Sequence, residues 1–277
     1  MKASEETYRT MQSLPQFPAL ATKLLRALAD EDADVRGIVN FIRTDAALAA
    51  ELLRIVNSPL YALPGRISSI QSAVTLLGLE AVKSFALTVS MRGFLQPSLR
   101  LDLFRKVWRN SLACAIICEE TSKACSPIQR PDDRAYTAGL LHDLGRLGMF
   151  VGHPQDYGAL LMARIGGDGD QLALEREVFG IDHCEAGAWL ANKWGFPDDL
   201  REVVAEHHKP VQPEFRLVDL VRVAVLLADK LGFDAAPSNF GSFGQVLALL
   251  PQSAQYRIES DPAVMKARIT YRLDSFD

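Results

Sequence analysis

The sequence predicts an all-α protein. Apolar residues recur at helical spacing nearly everywhere, sustained period-2 alternation is scarce, and no two-residue hairpin turn separates apolar runs. The 277 residues are 48 % hydrophobic and 23 % charged, enough apolar material for one large domain or two modest ones.

The elements follow from their own start and stop signals. In ALATKLLRALAD, Leu20, Leu24, Leu25 and Leu28 share one helix face, and Pro15 and Pro18 stand where a helix begins. DAALAAELLRIVNSP repeats the pattern with Leu48, Leu52, Leu53 and Val56, and Ser58-Pro59 stops it. SIQSAVTLLGLEAVKSFALTVSM breaks at Gly78. The rhythm lapses over residues 94–102, which places a boundary between an N-terminal helical subdomain (1–100) and a second helical domain (101–277). GGDGD at 166–170 and FDAAPSNFGS at 233–242 are expected loops, the latter before a short C-terminal helical tail. DHCEAGAWLANKWGFP carries Asp182 as an N-cap with Glu185 three residues on, then Gly195 and Pro197 as stop signals.

Composition excludes several functions. A net charge of −4 leaves no basic footprint, so nonspecific binding to a phosphate backbone is not favoured. QSAVTLLGLEAVKSFALTVS has the outline of a helix-turn-helix, but its second helix offers Leu79, Val82, Phe85, Ala86, Leu87 and Val89, with only Lys83 and Arg92 basic. A recognition helix must present polar groups to base edges. DNA is therefore not an expected partner. MKASEETYRT lacks the apolar region of a leader, and no apolar run reaches membrane-spanning length, so the expectation is a cytoplasmic protein with no membrane partner. Cys114, Cys118, Cys125 and Cys184 form no CxxC pair and read as reduced core thiols.

The chemistry lies in the second half. GLLHDLGRLGM sets His142 and Asp143 inside an apolar run, where an ionised carboxylate needs a partner. His183, His207 and His208 also sit in or at the ends of apolar helical segments, and Asp229 interrupts another, whereas His153 before Pro154 reads as a solvated turn residue. Singly, each suits a hydrogen-bonded core or helix-end group. Together, histidines and carboxylates suit a divalent ion such as Fe, Mn, Ni or Zn. Adjacent residues on a helix diverge by roughly 100°, so His142 and Asp143 reach one ion only at a bend or with favourable rotamers.

From about residue 14 to 232 the chain resembles the HDOD family, the output-type relatives of the HD phosphohydrolase superfamily. The matching stretches are LPQFPALATKLLRAL, IRTDAALAAELLRIVNSPLY, RISSIQSAVTLLGLEAVKSFAL, VWRNSLACA, AGLLHDLGRL, GIDHCEAGAWLANKWGFPDDL and VVAEHHKP. The resemblance implies an N-terminal helical portion packed on an HD-like helical domain, and a role in bacterial signal transduction, usually without demonstrated catalysis. It makes His142-Asp143 the metal-binding doublet and Asp229 the distant aspartate, with His183 and His207 or His208 as the further histidines of the two-metal HD-GYP branch. The superfamily's first histidine belongs in VWRNSLACA, where Asn110 or Ser111 stands instead, and no GYP tripeptide follows HHKPVQP. With one donor gone, occupancy of the site by a metal stays open. Arg146 is a candidate ligand-binding residue that would hold a phosphate by bidentate bonding, or else pair with Asp143 in place of a cation; the pairing is preferred. The expectation is a non-catalytic signalling module that binds a protein partner in trans or a nucleotide-like ligand. The alternative is a metal-dependent phosphohydrolase acting on nucleotides or cyclic dinucleotides.

Overall fold

The start and stop signals act where the sequence puts them. The computed structural model describes residues 2–28, 35–61, 65–125, 132, 134–164, 170–234 and 240–276, and no strand occurs among them. After α1 (Lys2–Gln12), α2 (Ala19–Leu28) begins directly behind Pro18, with Leu24 and Leu25 buried and Leu20 packed on the core. The side chain of Leu28 lies outside the described ones. α3 (Val35–Thr44) leads to α4 (Ala46–Val56), whose N-cap Asp45 accepts from the Leu48 N–H at 3.0 Å. Leu48, Leu52 and Val56 are buried there and Leu53 partly so.

α5 (Ile70–Leu77) and α6 (Leu79–Leu95) meet at Gly78, which takes φ 84°, a left-handed value that a side chain would resist. α6 buries Val82, Phe85, Ala86 and Leu87, and its buried Lys83 pairs with Glu80 at 2.9 Å. The surface a recognition helix would need is therefore core. The lapse at 94–102 is shorter than the sequence suggests, because Phe94 and Leu95 still belong to α6 and pack inward. Residues 96–101 make the connection, with a 3₁₀ turn at Ser98–Arg100.

α7 (Asp102–Cys125) is the central helix, and its 24 residues bury Phe104, Val107, Trp108, Leu112, Ile116, Cys114 and Cys118. Those two thiols are core, as expected. α8 (Ala135–Leu141), α9 (Leu144–Gly152), α10 (Pro154–Arg164), α11 (Gln171–Phe179), α12 (His183–Lys193), α13 (Asp198–Glu206) and α14 (Leu217–Lys230) follow. α8 and α14 pack on α7, while α9 crosses α12 and α13 lies against α12 and α14. α1 packs on α9 and α11, where the Thr7 hydroxyl donates to the Phe179 carbonyl at 2.9 Å. The first helix thus leans on the later half of the chain. Of the two expected loops, residues 165–169 and 235–239 fall outside the described residues.

The tail is three helical pieces, α15 (Phe243–Leu247), α16 (Gln252–Gln255) and α17 (Pro262–Leu273). α17 docks on α7 through Arg272, 2.5 Å from Glu119 and 3.5 Å from Glu120, and through Arg268, 2.7 Å from Glu120. Burial alone would raise the Glu119 carboxyl, but Arg272 and Lys123 outweigh it and hold it below its usual value. A depressed folded-state pKa gives stability that is present above the unfolded value of about 4.3 and lost as pH falls through the lower folded one. Urea unfolding between about pH 5 and 3 should therefore show a steeper loss for the native chain than for Glu119→Gln. Parallel curves would mean that this pairing contributes nothing. Among the described residues no helix is long and apolar enough to cross a membrane.

Candidate metal centre

The bend that the His142-Asp143 pair requires is present. His142 ends α8 in helical geometry (φ −53°, ψ −40°), and Asp143 leaves it (φ −93°, ψ 21°) to open α9. That break lets two adjacent residues face one cavity. α9 can reach α12 because Gly145 has no side chain. A Cβ there would fall well inside contact distance of the His183 carbonyl oxygen and 2.5 Å from the Gly187 nitrogen.

His183 is the first residue of α12 and is set by a capping box. The Asp182 side chain accepts from the Glu185 N–H at 2.8 Å, and Glu185 accepts from the Asp182 N–H at 2.9 Å. His207 ends α13, and His208 follows it. Four helix ends therefore deliver the donors, which is where a backbone can aim a side chain sideways into a cavity.

Three of the rings are held alike. Nδ1 of His142 lies 2.7 Å from the Gly139 carbonyl, Nδ1 of His183 2.6 Å from Glu175 Oε2, and Nδ1 of His207 3.2 Å from the Val203 and Val204 carbonyls. With Nδ1–H donating outward, each Nε2 is turned towards Asp143. The distances to its carboxylate are 3.6 Å from His142, 3.5 Å from His183 and 3.8 Å from His207. Tying one nitrogen to an acceptor and leaving the other to the metal is the usual way a ligating histidine is oriented. His208 completes the group with Nε2 3.0 Å from His183 Nε2 and Nδ1 3.5 Å from Arg222 Nη1. Two ring nitrogens this close need a shared proton or a shared ion.

The electrostatics agree. Burial would raise the Asp143 carboxyl, but Arg146, His142 and His183 outweigh it and hold it well below the usual carboxylate range. Burial opposes a charge on His183, yet the Glu175 carboxylate and then Cys184 raise its pKa well above the ordinary value. Burial lowers His142, His207 and His208, the last two well below the ordinary value, and neighbouring histidines push those two further down. The rings of His142, His207 and His208 are thus in the neutral form that ligation needs. His183 must lose a proton as an ion enters, so binding would release that proton.

The residues present fit a divalent ion. Asp143 Oδ1 and His207 Nε2 are buried without a hydrogen-bond partner, an expensive state that coordination would relieve. Two sets of donors lie within 4.8 Å of one another: His142, Asp143 and His207, and His183, Cys184, His207 and His208. Of the six expected ligands, five converge. Asp229 is buried and contacts Lys230 at 3.0 Å, and it belongs to neither set.

Residues 14–210 match the HDOD domain family. The chain belongs to that family. Its fold is shared with an HDOD domain protein of unknown function from Geobacter sulfurreducens (TM-score 0.72, 21 % identity, 100 % of this chain and 97 % of that one). It is shared as well with a "Putative phosphohydrolase" from Shewanella amazonensis SB2B (TM-score 0.72, 24 % identity, 99 % and 97 % covered). A "Putative signal transduction protein" from Marinobacter aquaeolei VT8 gives a TM-score of 0.78 at 20 % identity, with 99 % of this chain and 65 % of that one covered. An uncharacterized protein of Treponema pallidum (strain Nichols) is 26 % identical over 205 residues, which are 74 % of this chain and 39 % of the relative. The HDOD chain thus spans about two-fifths of that relative's length.

In this HDOD protein Arg146 stands as the preferred sequence reading has it, whereas His153 and Cys184 stand differently from theirs. Arg146 is buried beside Asp143, with Nη1 3.2 Å from Oδ2, and also approaches Asp234 at 3.7 Å. The geometry is that of the expected ion pair, and it leaves Oδ1 to His183 and His207, while His142 approaches Oδ2. His153 packs on the Phe179 ring at 5.4 Å and is half-buried, so it is no solvated turn residue. Cys184 reads from the sequence as an inert core thiol, yet its sulfur stands within the histidine group.

Sequence reasoning missed Glu175. It is fully buried, accepts from Tyr157 at 2.5 Å, from Gln171 at 2.8 Å and from the His183 N–H at 2.8 Å, and orients the His183 ring. Burial would raise its carboxyl, but His183 outweighs that and brings it to about 2. A signal existed: Leu172, Glu175 and Phe179 fall on one helical stripe, which puts an acid where a core residue belongs.

Proposed function

We propose that this HDOD protein is a non-catalytic regulatory module of bacterial signal transduction, cytoplasmic, which binds a protein partner in trans or a nucleotide-like ligand. In this reading residues 1–100 form the N-terminal helical subdomain and 101–277 the HD-like part. His142, Asp143, His183, His207 and His208 serve as a metal-holding cluster that stabilises the domain, and Asp229 remains a more distant candidate. Fe, Mn, Ni or Zn would satisfy such a donor set.

One observation carries the reading. A buried guanidinium, that of Arg146, sits 3.2 Å from the aspartate of the HD doublet. Two-metal hydrolysis needs both ions fixed, one to activate water and both to steady the attacking and leaving oxygens. A permanent cation beside Asp143 weakens that carboxylate as a bridge between two ions. The α7 position that the superfamily gives to a histidine supports the same view. Ser111 Oγ donates to the Val107 carbonyl at 3.3 Å, and its neutral hydroxyl, like the Asn110 amide oxygen, is a weaker ligand for such an ion than imidazole.

The phosphohydrolase reading keeps one argument, the convergence of three Nε2 atoms on Asp143. A bound ion would supply Lewis-acid activation of water there, while His142, Asp143 and His207 would hold it and Glu175 would keep His183 in orientation. The test is an assay with Mn, Fe, Ni or Mg against cyclic dinucleotides, nucleoside triphosphates and guanosine polyphosphates. The expected result is no turnover above a protein-free control. Metal-dependent turnover that disappears in Asp143→Ala would overturn the proposal.

A further inference from the structure

We propose that Cys184 is a metal ligand, and that with His183, His207 and His208 it forms a closed, zinc-selective site of three nitrogens and one sulfur. This rests on reading the histidine cluster as a metal centre and adds a donor of a different kind.

The four ligand atoms lie within 4.8 Å of one another, and His183, Cys184 and His207 are buried. They arrive in pairs, His183-Cys184 from the first turn of α12 and His207-His208 from the end of α13. The capping box at Asp182 and Glu185 fixes the first pair, and the positive end of α12 suits an anionic sulfur donor. His207 Nε2 is fully buried and has no partner, so a group inside this set is missing one. His183 Nε2 and His208 Nε2, 3.0 Å apart, share a proton that an ion would replace.

His207 decides which of the two donor sets an ion takes. It belongs to both, but its Nδ1 is committed to the Val203 and Val204 carbonyls, so it has one nitrogen to give. The set with Cys184 offers four donors, enough for the tetrahedral shell that zinc prefers, with Zn–N of about 2.0–2.1 Å and Zn–S of about 2.3 Å. The set with Asp143 offers three, and Arg146 competes for its carboxylate. A thiolate also turns selectivity towards zinc and away from Mn or Mg. Four protein ligands leave no open position for water, which is the mark of a structural zinc site. Closure by Cys184 therefore disfavours hydrolysis by a route independent of Arg146.

Cobalt(II) reports the sulfur directly, because a thiolate ligand gives it a near-ultraviolet charge-transfer band that imidazole ligands do not. The full chain, stripped of metal and titrated with cobalt, should show that band and saturate at one ion per chain. Cys184→Ser should lose the band and bind zinc at least ~10-fold more weakly, judged against the loss typical of removing even an outer-shell partner. Cys125→Ser, which alters a half-buried thiol on α7, should keep it. Circular dichroism establishes that each variant is folded. Cobalt bands in the visible without the near-ultraviolet band, or a band that survives Cys184→Ser, would remove Cys184 and leave the histidine centre standing. Failure of the folded native chain to bind cobalt or zinc would overturn both.

Discussion

Gly145→Ala should cost the protein about 3 kcal/mol or more and lower its melting temperature by roughly 6–12 °C. The added methyl would meet the His183 carbonyl oxygen and the Gly187 nitrogen, both backbone atoms at the crossing of α9 and α12. No rotamer change relieves such a contact, so one helix must shift. The shift would carry His183 away from Asp143 and His208, now 3.5 Å and 3.0 Å from its Nε2. Metal affinity and stability should therefore fall together. Gly93→Ala is the contrast. It lies within α6, and a Cβ added there would meet nothing within 4 Å, so removing a flexible glycine should stabilise by about 0.5–1 kcal/mol. Thermal unfolding of the two variants checks both signs. A Gly145→Ala protein as stable as the native chain would mean that the two helices are not packed backbone to backbone.

What the sequence shows clearly is whatever is decided within a few residues. The break at Gly78, the stop at Ser58-Pro59 and the capping box of Asp182 and Glu185 each depend on local geometry, and each stands as read. The rings of His142, His183, His207 and His208 are legible for a related reason: polar groups in apolar helices must find one another. What stayed hidden depends on distant partners. Glu175 differs from the exposed Glu177 only by the face it occupies, and its value lies in holding a ring eight residues away. Asp234 gains meaning from Arg146, which a loop brings to 3.7 Å. Cys184 reads as core because a thiol is apolar enough to be buried anywhere, and only α13 supplies the histidines that change its chemistry. The docking of α1 on α9 and α11 has no local signal at all.

Asp143→Ala should destabilise the protein by about 3–5 kcal/mol, the usual consequence of stranding one member of a buried ion pair. Arg146 would keep its charge, because a guanidinium does not deprotonate in proteins even when it loses the carboxylate that chiefly raises its pKa. It is 4 % exposed, and neither Nε nor Nη1 has a hydrogen-bond partner to compensate. Asp234, 3.7 Å away, offsets a part of the loss and sets the result towards the lower end of that range. The decisive comparison is the double variant Asp143→Ala with Arg146→Met. Removing both charges leaves an apolar pair with no stranded charge, smaller than the original by the carboxyl group, and apolar replacements of buried ion pairs are often close to neutral. The double variant should thus regain most of the stability lost in the single one, a coupling that a double-mutant cycle measures by urea unfolding. Equal losses in the two would show that Asp143 stabilises through the histidines or a bound ion alone. Recovery would identify Arg146 as the resident cation of the HD doublet, since the aspartate would then be dispensable once its arginine is gone.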